Sequence, residues 1–511
     1  MNQRPWTAMR SLLALVVTIV AVMQMLPSLL ATGAHTSATL IEKMTGPGSI
    51  NDTWGRWDIK GTDLGIMWDN GAGQVLTAFG DTFGDAWTGP GVTIGPGDAA
   101  WRSNVLLRSN DATLSDGMRF QSAPEQFAGR AAELIPSLKV DNVEITVIPT
   151  AGVSVGTRQY LGYMSVRHWG PAGQWDTNRA GIAWSDDNGE HWTTAGGPVW
   201  ENPAGDHDFQ MQAFVRRNGF VYVYGTPNGR FGAAHVARVP EAQMLNKSQY
   251  QYWNGSNWIV NNDTVAAAIV PGPVGELSVH YHAFAGRYVM MYLGGEDIVM
   301  RTAINPEGPW SSPQVVVSSA DYPGLYGGFI HPWSVNGTLY FTLSQWNPYN
   351  VFLMAVTIDT AGLLTKPNQV GDPSFERGAM NNGLNGTWAC SPNCGIDNTP
   401  AGGYSGDRNG FTRYNTGWRN VWQQMAVQPN TNYRMTGWVR TSANSDNAYM
   451  GARTTSGVVI NEVNFPRTNG WQRFTITFNS GSNSAVQIFA GVWTNNGDIW
   501  IQLDDFSVVR Q

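Results

Sequence analysis

Only a few side chains in this 511-residue sequence have the type and setting to do chemistry. Asp63 lies in Gly61-Thr62-Asp63-Leu64-Gly65, and Asp81 in Phe79-Gly80-Asp81-Thr82-Phe83-Gly84. Each is a lone acid among apolar residues and glycines, the neighbours expected where backbone approaches a ligand closely. A carboxyl in such a strand is costly unless a partner or a solvated cleft takes it up. Glu276 in Gly275-Glu276-Leu277-Ser278-Val279, Asp208 in Asp206-His207-Asp208-Phe209 and His331 in Ile330-His331-Pro332-Trp333 have related settings. Two carboxyls flanking one bond, one of them holding a proton, are what glycoside hydrolysis requires. Asp63 and Asp81 are the expected pair, and Glu276 is the third catalytic candidate. Their separation, roughly 5 Å or 6.5–9.5 Å, decides between retention and inversion. Asn104, Asp208, His331 and Trp333 are expected to contact the sugar. The bland alternative is that these acids cap turns or serve as satisfied structural groups. No His, Cys and Asp cluster has metal-ligand spacing, so catalysis is expected to need no cofactor. Walker, dinucleotide and His-Glu-x-x-His patterns are absent.

Side chains aimed into a cleft need elements that hold them there. From Thr53 to Ile358, short runs rich in Val, Tyr, Phe, Trp and Met end in turn-formers and recur at short intervals. Gln74–Phe79, Val143–Ile148, Gly219–Tyr224, Arg287–Leu293 and Thr338–Leu343 are examples. Antiparallel strands in such number make a large sandwich or a β-propeller. Ser185-Asp186-Asp187-Asn188-Gly189-Glu190-His191-Trp192 fits Ser-x-Asp-x-Gly-x-x-Trp and resembles the Asp-box hairpin of propeller blades. Asp187 is there a turn-holding residue rather than a catalytic one. Strand clusters beginning near Asp63, Asn104, Phe209, Glu276 and His331 suggest five blades, whose innermost strands would line a central funnel. The propeller is expected over residues 45–362.

A linker is expected over 363–371 and a second module over 372–511. The opening Asp372-Pro373-Ser374-Phe375-Glu376 and the closing Asp504-Asp505-Phe506-Ser507-Val508 resemble jelly-roll carbohydrate-binding modules, in which the first and last strands pair. The fold class is therefore all-β: a five-bladed propeller followed by a β-sandwich. The resemblance implies a structural Ca²⁺ where the ends meet, with Asp372, Glu376 and Asp505 as candidate oxygen ligands; plain strand-end hydrogen bonding is the alternative. Tyr414, Trp418, Trp422 and Trp493 stand in Asn/Gly-rich surroundings and are candidate sugar platforms, with core packing as the alternative. Cys390 and Cys394, the two cysteines of the chain, are expected to form one local disulfide.

Charged residues make up 14% of the chain, well below the roughly 25% of average domains, while 59 glycines and 23 tryptophans stand out. So many aromatics exclude disorder, and so much glycine excludes a long helical protein. A net charge of −7 argues against nucleic acid as partner; neutral sugars suit such a surface better. Arg4 and Arg10 precede an apolar run from Leu12 to Leu30, followed by small residues up to Ala38. This order predicts a secretion signal over residues 1–38, with a retained anchor as the alternative. A secreted or cell-envelope protein without stable membrane insertion is expected, and it is expected to be a monomer.

Gly61-Thr62-Asp63-Leu64-Gly65 through Phe79-Gly80-Asp81-Thr82-Phe83, followed by Trp101-Arg102-Ser103-Asn104-Val105, resembles an actinobacterial family long catalogued as a domain of unknown function. Its members are regarded as endo-D-arabinanases built on five-bladed propellers. They cut the D-arabinofuranose polymers of mycobacterial arabinogalactan and lipoarabinomannan. The resemblance covers most of residues 50–358, and it places the family's two catalytic aspartates on Asp63 and Asp81. Two other readings compete. One is a glycan-binding or adhesion protein without catalysis. The other is a sialidase, for which Arg102, Arg167 and Arg216 would supply the carboxylate-binding cluster.

Overall fold

Among the described residues, short apolar runs separated by Gly and Asn turns build five blade sheets between residues 39 and 365, besides a two-stranded sheet of Glu125–Phe127 and Arg130–Ala131, all antiparallel. The computed structural model describes residues 35–89, 100–390, 392–400, 402–494 and 497–511. Blade 1 is Leu64–Asp69, Val75–Phe79 and Val105–Ser109. Blade 2 is Thr146–Val155, Arg158–Trp169, Trp175–Ser185 and Val199–Glu201. Blade 3 opens with Met211–Arg217, Phe220–Thr226 and His235–Pro240, and two short strands extend it. Blade 4 is Leu277–His282, Arg287–Gly294, Asp297–Ala303 and Gln314–Val317. Blade 5 is Leu325–Ile330, Thr338–Gln345 and Asn350–Ile358. The N-terminal strand Thr39–Lys43 pairs with Asn350–Ile358, so the chain start completes the last blade. The first strand of each blade packs against the first strand of the next, and the fifth returns to the first. That closed ring is the expected five-bladed propeller.

Two of the five expected blade starts need correction. Asn104 precedes the outer strand of blade 1, whereas blade 2 begins at Thr146. His331 follows the inner strand Leu325–Ile330 and so sits at its far end. A run of β-formers shows that a strand exists, but not which rank it holds in its blade.

Blades pack by fitting large rings against glycine. Trp68 of blade 1 lies over Gly152 of blade 2, where an added Cβ would come within 2.0 Å of the ring. The Trp68 indole N–H donates to Gln159 Oε1 at 2.9 Å, which keeps its buried polar edge satisfied. The hairpin at Ser185–Trp192 holds as expected. Ser185 Oγ donates to Asp187 Oδ1 at 2.7 Å, the His191 amide donates to the same oxygen at 3.0 Å, and Gly189 has φ +81°.

Beyond the propeller, ten strands form two five-stranded antiparallel sheets. One runs Ala389–Cys390, Gly417–Ala426, Ala485–Thr494, Ala448–Thr454, Val459–Phe465; the other runs Cys394–Asp397, Asn409–Tyr414, Ile499–Arg510, Asn432–Thr441, Gln472–Asn479. Val421, Met435, Met450, Ile488 and Leu503 fill the space between them. Cys390 and Cys394 are disulfide-bonded.

The stretch expected as a linker belongs to both bodies. Leu364–Thr365 pairs with blade 5. The Gln369 amide donates to the Val508 carbonyl at 3.0 Å, and Asn368 Nδ2 donates to the Phe506 carbonyl at 3.1 Å. Across the seam, Arg377 pairs with the fully buried Asp321 at 2.7 Å, and the Tyr322 hydroxyl donates to Asp505 at 2.9 Å. Tyr404 meets Glu42, and its hydroxyl accepts from the Lys43 amide at 2.8 Å. Residues 1–34, most of the expected secretion signal, lie outside the described residues. Thr36 and Ala38 are buried, and the Ala38 amide donates to Val316 at 3.1 Å.

Candidate active site

Asp63 reaches the funnel because the chain bulges as it enters blade 1. Leu64 and Gly65 both take left-handed backbone, φ 68° and 84°, and the pairing register slips between Leu64 and Ile66. A bulge of this kind re-aims a side chain, and a left-handed Leu persists only where its surroundings hold it. Blade 5 does so: Ser344 Oγ accepts from the Leu64 amide at 2.8 Å, and Thr342 Oγ1 donates to the Gly65 carbonyl at 3.0 Å. Asp81 arrives on the partner strand at the same open end of the hairpin, two residues past Val75–Phe79. Gly80 lies between the two acids, and a Cβ there would meet Asp63 Oδ1 at 2.3 Å. The glycine flanking Asp81 is thus the close backbone approach its position suggests.

The Tyr326 hydroxyl donates to Asp63 Oδ2 at 2.9 Å, while Oδ1 is buried with no hydrogen-bond partner. Burial and then the charge of Asp81 push the Asp63 carboxyl up to about 7, against the pull of Tyr326 and Tyr349. Asp81 Oδ1 accepts from Thr146 Oγ1 at 2.5 Å and from the Trp101 indole at 2.9 Å. Burial pushes Asp81 up to about 6, and those two donors hold it lower than burial alone would. A cavity of about 1120 Å³ opens over both carboxyls. Trp87, Trp101, Trp169, Trp175, Trp346 and Tyr349 are among its walls.

Glu276 enters the same cavity from blade 4, across the ring from blade 1. Arg230 holds it with two nitrogens, Nη2 at 2.7 Å and Nε at 3.0 Å from Oε1. Among the described residues lining the cavity, Arg230 is the one Lys or Arg. Arg102, Arg167 and Arg216 bond elsewhere: to backbone carbonyls beneath blade 1, to Asp176 and to Glu241.

The four expected sugar contacts do not line the cavity. Asn104 is buried, with Nδ2 donating to the Ile135 and Val147 carbonyls and Oδ1 accepting from the Leu134 and Ile135 amides. Asp208 faces His235 at 3.4 Å. His331 is fully buried, and Trp333 donates to Asp69 Oδ2 at 2.6 Å, at the opposite end of the strand that Asp63 precedes. Each satisfies the packing of its own blade. Sequence reasoning missed Thr146, Tyr326 and Tyr349: the first two look like any other strand position, and Tyr349 lies in the turn between two blade-5 strands. The tryptophans at the ends of strands were the one signal that could have been followed.

In the second module, Trp418 and Trp493 are cross-strand partners on the outer face of one sheet, with ring centroids 6.0 Å apart. Trp493 is 47% exposed, and Tyr449 and Phe489 edge Trp418 at 6.0 Å. Trp422 shares that strand but leans on Gly383, and Tyr414 lies beneath the Arg419 guanidinium at 3.8 Å. The candidate calcium ligands have protein partners. Asp372 accepts from the Arg377 amide at 3.1 Å, and Glu376 accepts from the Asp407 and Arg408 amides at 2.8 Å. Asp505 accepts from Tyr322 at 2.9 Å and Ser405 at 3.0 Å. Asp505 Oδ2 is buried without a hydrogen-bond partner, and among the described residues no group of three or more His, Cys, Asp or Glu side chains is placed to hold a metal ion.

Residues 48–355 match the family model described as Domain of unknown function (DUF4185). The chain belongs to this family. The match takes in both aspartates and most of the ring of blades, beginning after the strand Thr39–Lys43. A fungal relative, Notoamide biosynthesis cluster protein J of an Aspergillus species, is 32% identical over 324 residues, covering 58% of this chain and 83% of its own. Among solved structures, a putative hydrolase from Bacteroides ovatus aligns with TM-score 0.43 at 12% identity, covering 59% of this chain and 86% of its own. An exo-β-1,3-galactanase from Phanerochaete chrysosporium aligns with TM-score 0.42 at 11% identity, covering 93% and 99%. Likeness this slight says nothing about the reaction of the DUF4185 chain.

Proposed function

We propose that this chain is a secreted glycoside hydrolase that cuts α-D-arabinofuranosyl linkages inside D-arabinan, with Asp63 and Asp81 as its catalytic pair. One observation carries the reading: two neighbouring carboxyls, raised to about 7 and about 6, face a roomy, aromatic-walled cavity. Acids held at different pKa values beside one another divide the roles of proton donor and anion. Asp63, with the higher value, gives its proton to the leaving oxygen. Asp81, whose anion Thr146 and Trp101 support, serves as base or nucleophile. Glu276 is engaged by Arg230 and shapes the field at Asp63 from the opposite wall. The sugar and the internal cut rest on the family resemblance of the first-blade motifs. Trp418 and Trp493 of the second module make a surface suited to holding the polymer.

The test is to incubate the purified chain with mycobacterial arabinogalactan and follow released oligosaccharides. Asp63→Asn and Asp81→Asn should each lower the rate by about 10²–10⁴-fold with the fold retained. Loss of hydrolysis in Glu276→Gln, with either Asn variant near the parent rate, would overturn the pair. Binding of the glycan with no cleavage under any condition would point instead to an adhesion protein.

A further inference from the structure

We propose that Trp169 and Trp346 are sugar-stacking platforms on either side of the carboxyl pair, so that a linear neutral glycan lies across the funnel from blade 2, over blade 1, to blade 5. The inference rests on the hydrolase reading above and adds the path of the substrate. Trp169 ends the second strand of blade 2, and Trp346 directly follows the second strand of blade 5. They therefore hold equivalent places, at the end of the ring where the inner strands begin and Asp63 lies. Blades 2 and 5 are the two neighbours of blade 1, which carries both aspartates.

Both rings stand out from the protein, Trp169 40% exposed and Trp346 55% exposed, and both line the cavity of the aspartates. A buried aromatic sets each one edge to face. Trp175 lies 5.6 Å from Trp169 at 68°, and Tyr349 lies 5.6 Å from Trp346 at 85°. Held this way, the exposed faces need no ordering when a ligand arrives, which lowers the cost of binding. A furanose ring presents C–H faces that an indole can cover while its hydroxyls stay wet. The cavity, about 1120 Å³, exceeds the 300–1,000 Å³ that holds a drug-sized ligand and so has room for several sugar units. Blade 4 has no platform at the matching place, since Gly294 and Asp297 pair across a two-residue turn. Phe231, near that place in blade 3, is exposed but does not line the cavity.

The experiment measures binding of arabinofuranose oligosaccharides of two and eight units to the full chain carrying Asp63→Asn, by calorimetry. It also measures arabinogalactan hydrolysis with Asp63 intact. Trp169→Ala and Trp346→Ala should each weaken octasaccharide binding roughly three- to tenfold and leave the disaccharide unchanged. Trp→Phe at either site should restore most of the loss, which separates stacking from misfolding. In hydrolysis, each Ala variant should raise the half-saturating polymer concentration more than it lowers the saturated rate. Octasaccharide binding equal to the parent, or equal losses for both lengths, would overturn the platforms while leaving the hydrolase reading intact. A parent chain that neither binds nor cuts these glycans would overturn both.

Discussion

Asp63 receives the Tyr326 hydroxyl at 2.9 Å on one oxygen, and its other oxygen is sealed without a partner. Burial and the charge of Asp81 raise this carboxyl to about 7 against the pull of Tyr326 and Tyr349, so it holds a proton near neutral pH. If Asp63 donates that proton and Asp81 works as an anion, the rate should rise as pH passes about 6 and fall as it passes about 7. Tyr326 favours the charged form of Asp63, so removing its hydroxyl raises the Asp63 pKa further. Tyr326→Phe should therefore move the alkaline limb to higher pH and leave the acid limb in place. A pH–rate profile checks this, and an unmoved alkaline limb would show that Asp63 is not the donor. The two acids were legible in the sequence because a carboxyl set among glycines and apolar residues is costly to keep unless a cleft uses it. The groups that tune them were not, because Thr146, Tyr326 and Tyr349 come from blades 2 and 5 and meet Asp63 and Asp81 only on ring closure.

A blade must both pair its strands and seat against its neighbour. Seating explains Gly152, which stands inside the strand Thr146–Val155 where a β-branched residue would pair better. The Trp68 ring occupies the space, and a Cβ would come within 2.0 Å of its Cε3 atom. Gly152→Ala should therefore destabilise the propeller by about 1–3 kcal/mol through overpacking. Thermal unfolding checks this, and an unchanged midpoint would mean the interface relaxes freely. Strand texture marked Asp63, Phe209 and Glu276 as blade entries, close to where Leu64, Met211 and Leu277 begin their inner strands. Asn104 carries the same texture before an outer strand and His331 at the far end of an inner one, because each blade repeats one local pattern from funnel to rim.

Across the whole molecule, propeller and sandwich share hydrogen bonds, a buried ion pair and an unbroken backbone path through Asn368 and Gln369. The ring also buries histidines. Burial lowers His331 to about 3 and His280 to about 4, so both stay neutral in the fold while the unfolded chain protonates them below about 6.5. Their contribution is present above pH 6.5 and is lost as pH falls toward 4 and 3. Asp63, Asp81 and Asp372, raised to about 7, 6 and 6, act in the opposite sense. Their contribution is present below about pH 4 and is lost as pH rises through those values. His331→Asn keeps an acceptor for the Trp333 amide, which His331 Nδ1 receives at 3.1 Å. This variant should flatten the acid side of the stability–pH curve by up to about 1.4 kcal/mol per pH unit between 6.5 and 3. Denaturant titrations at several pH values check it, and parallel curves for variant and parent would rule it out.

The strand-rich character, the local disulfide and the apolar, glycine-flanked setting of Asp63 and Asp81 depend on residues a few positions apart and were legible in the sequence, while the propeller and jelly-roll readings rested on resemblance. The tertiary structure alone decided which strands face the funnel, which hydroxyls reach Asp63 and Asp81, and that Glu276 meets Arg230 across blades. It also turned an expected linker into a seam. Contacts of that kind join residues up to hundreds of positions apart. They follow from how a closed ring packs and which groups burial leaves in need of partners, neither of which any stretch of local sequence encodes.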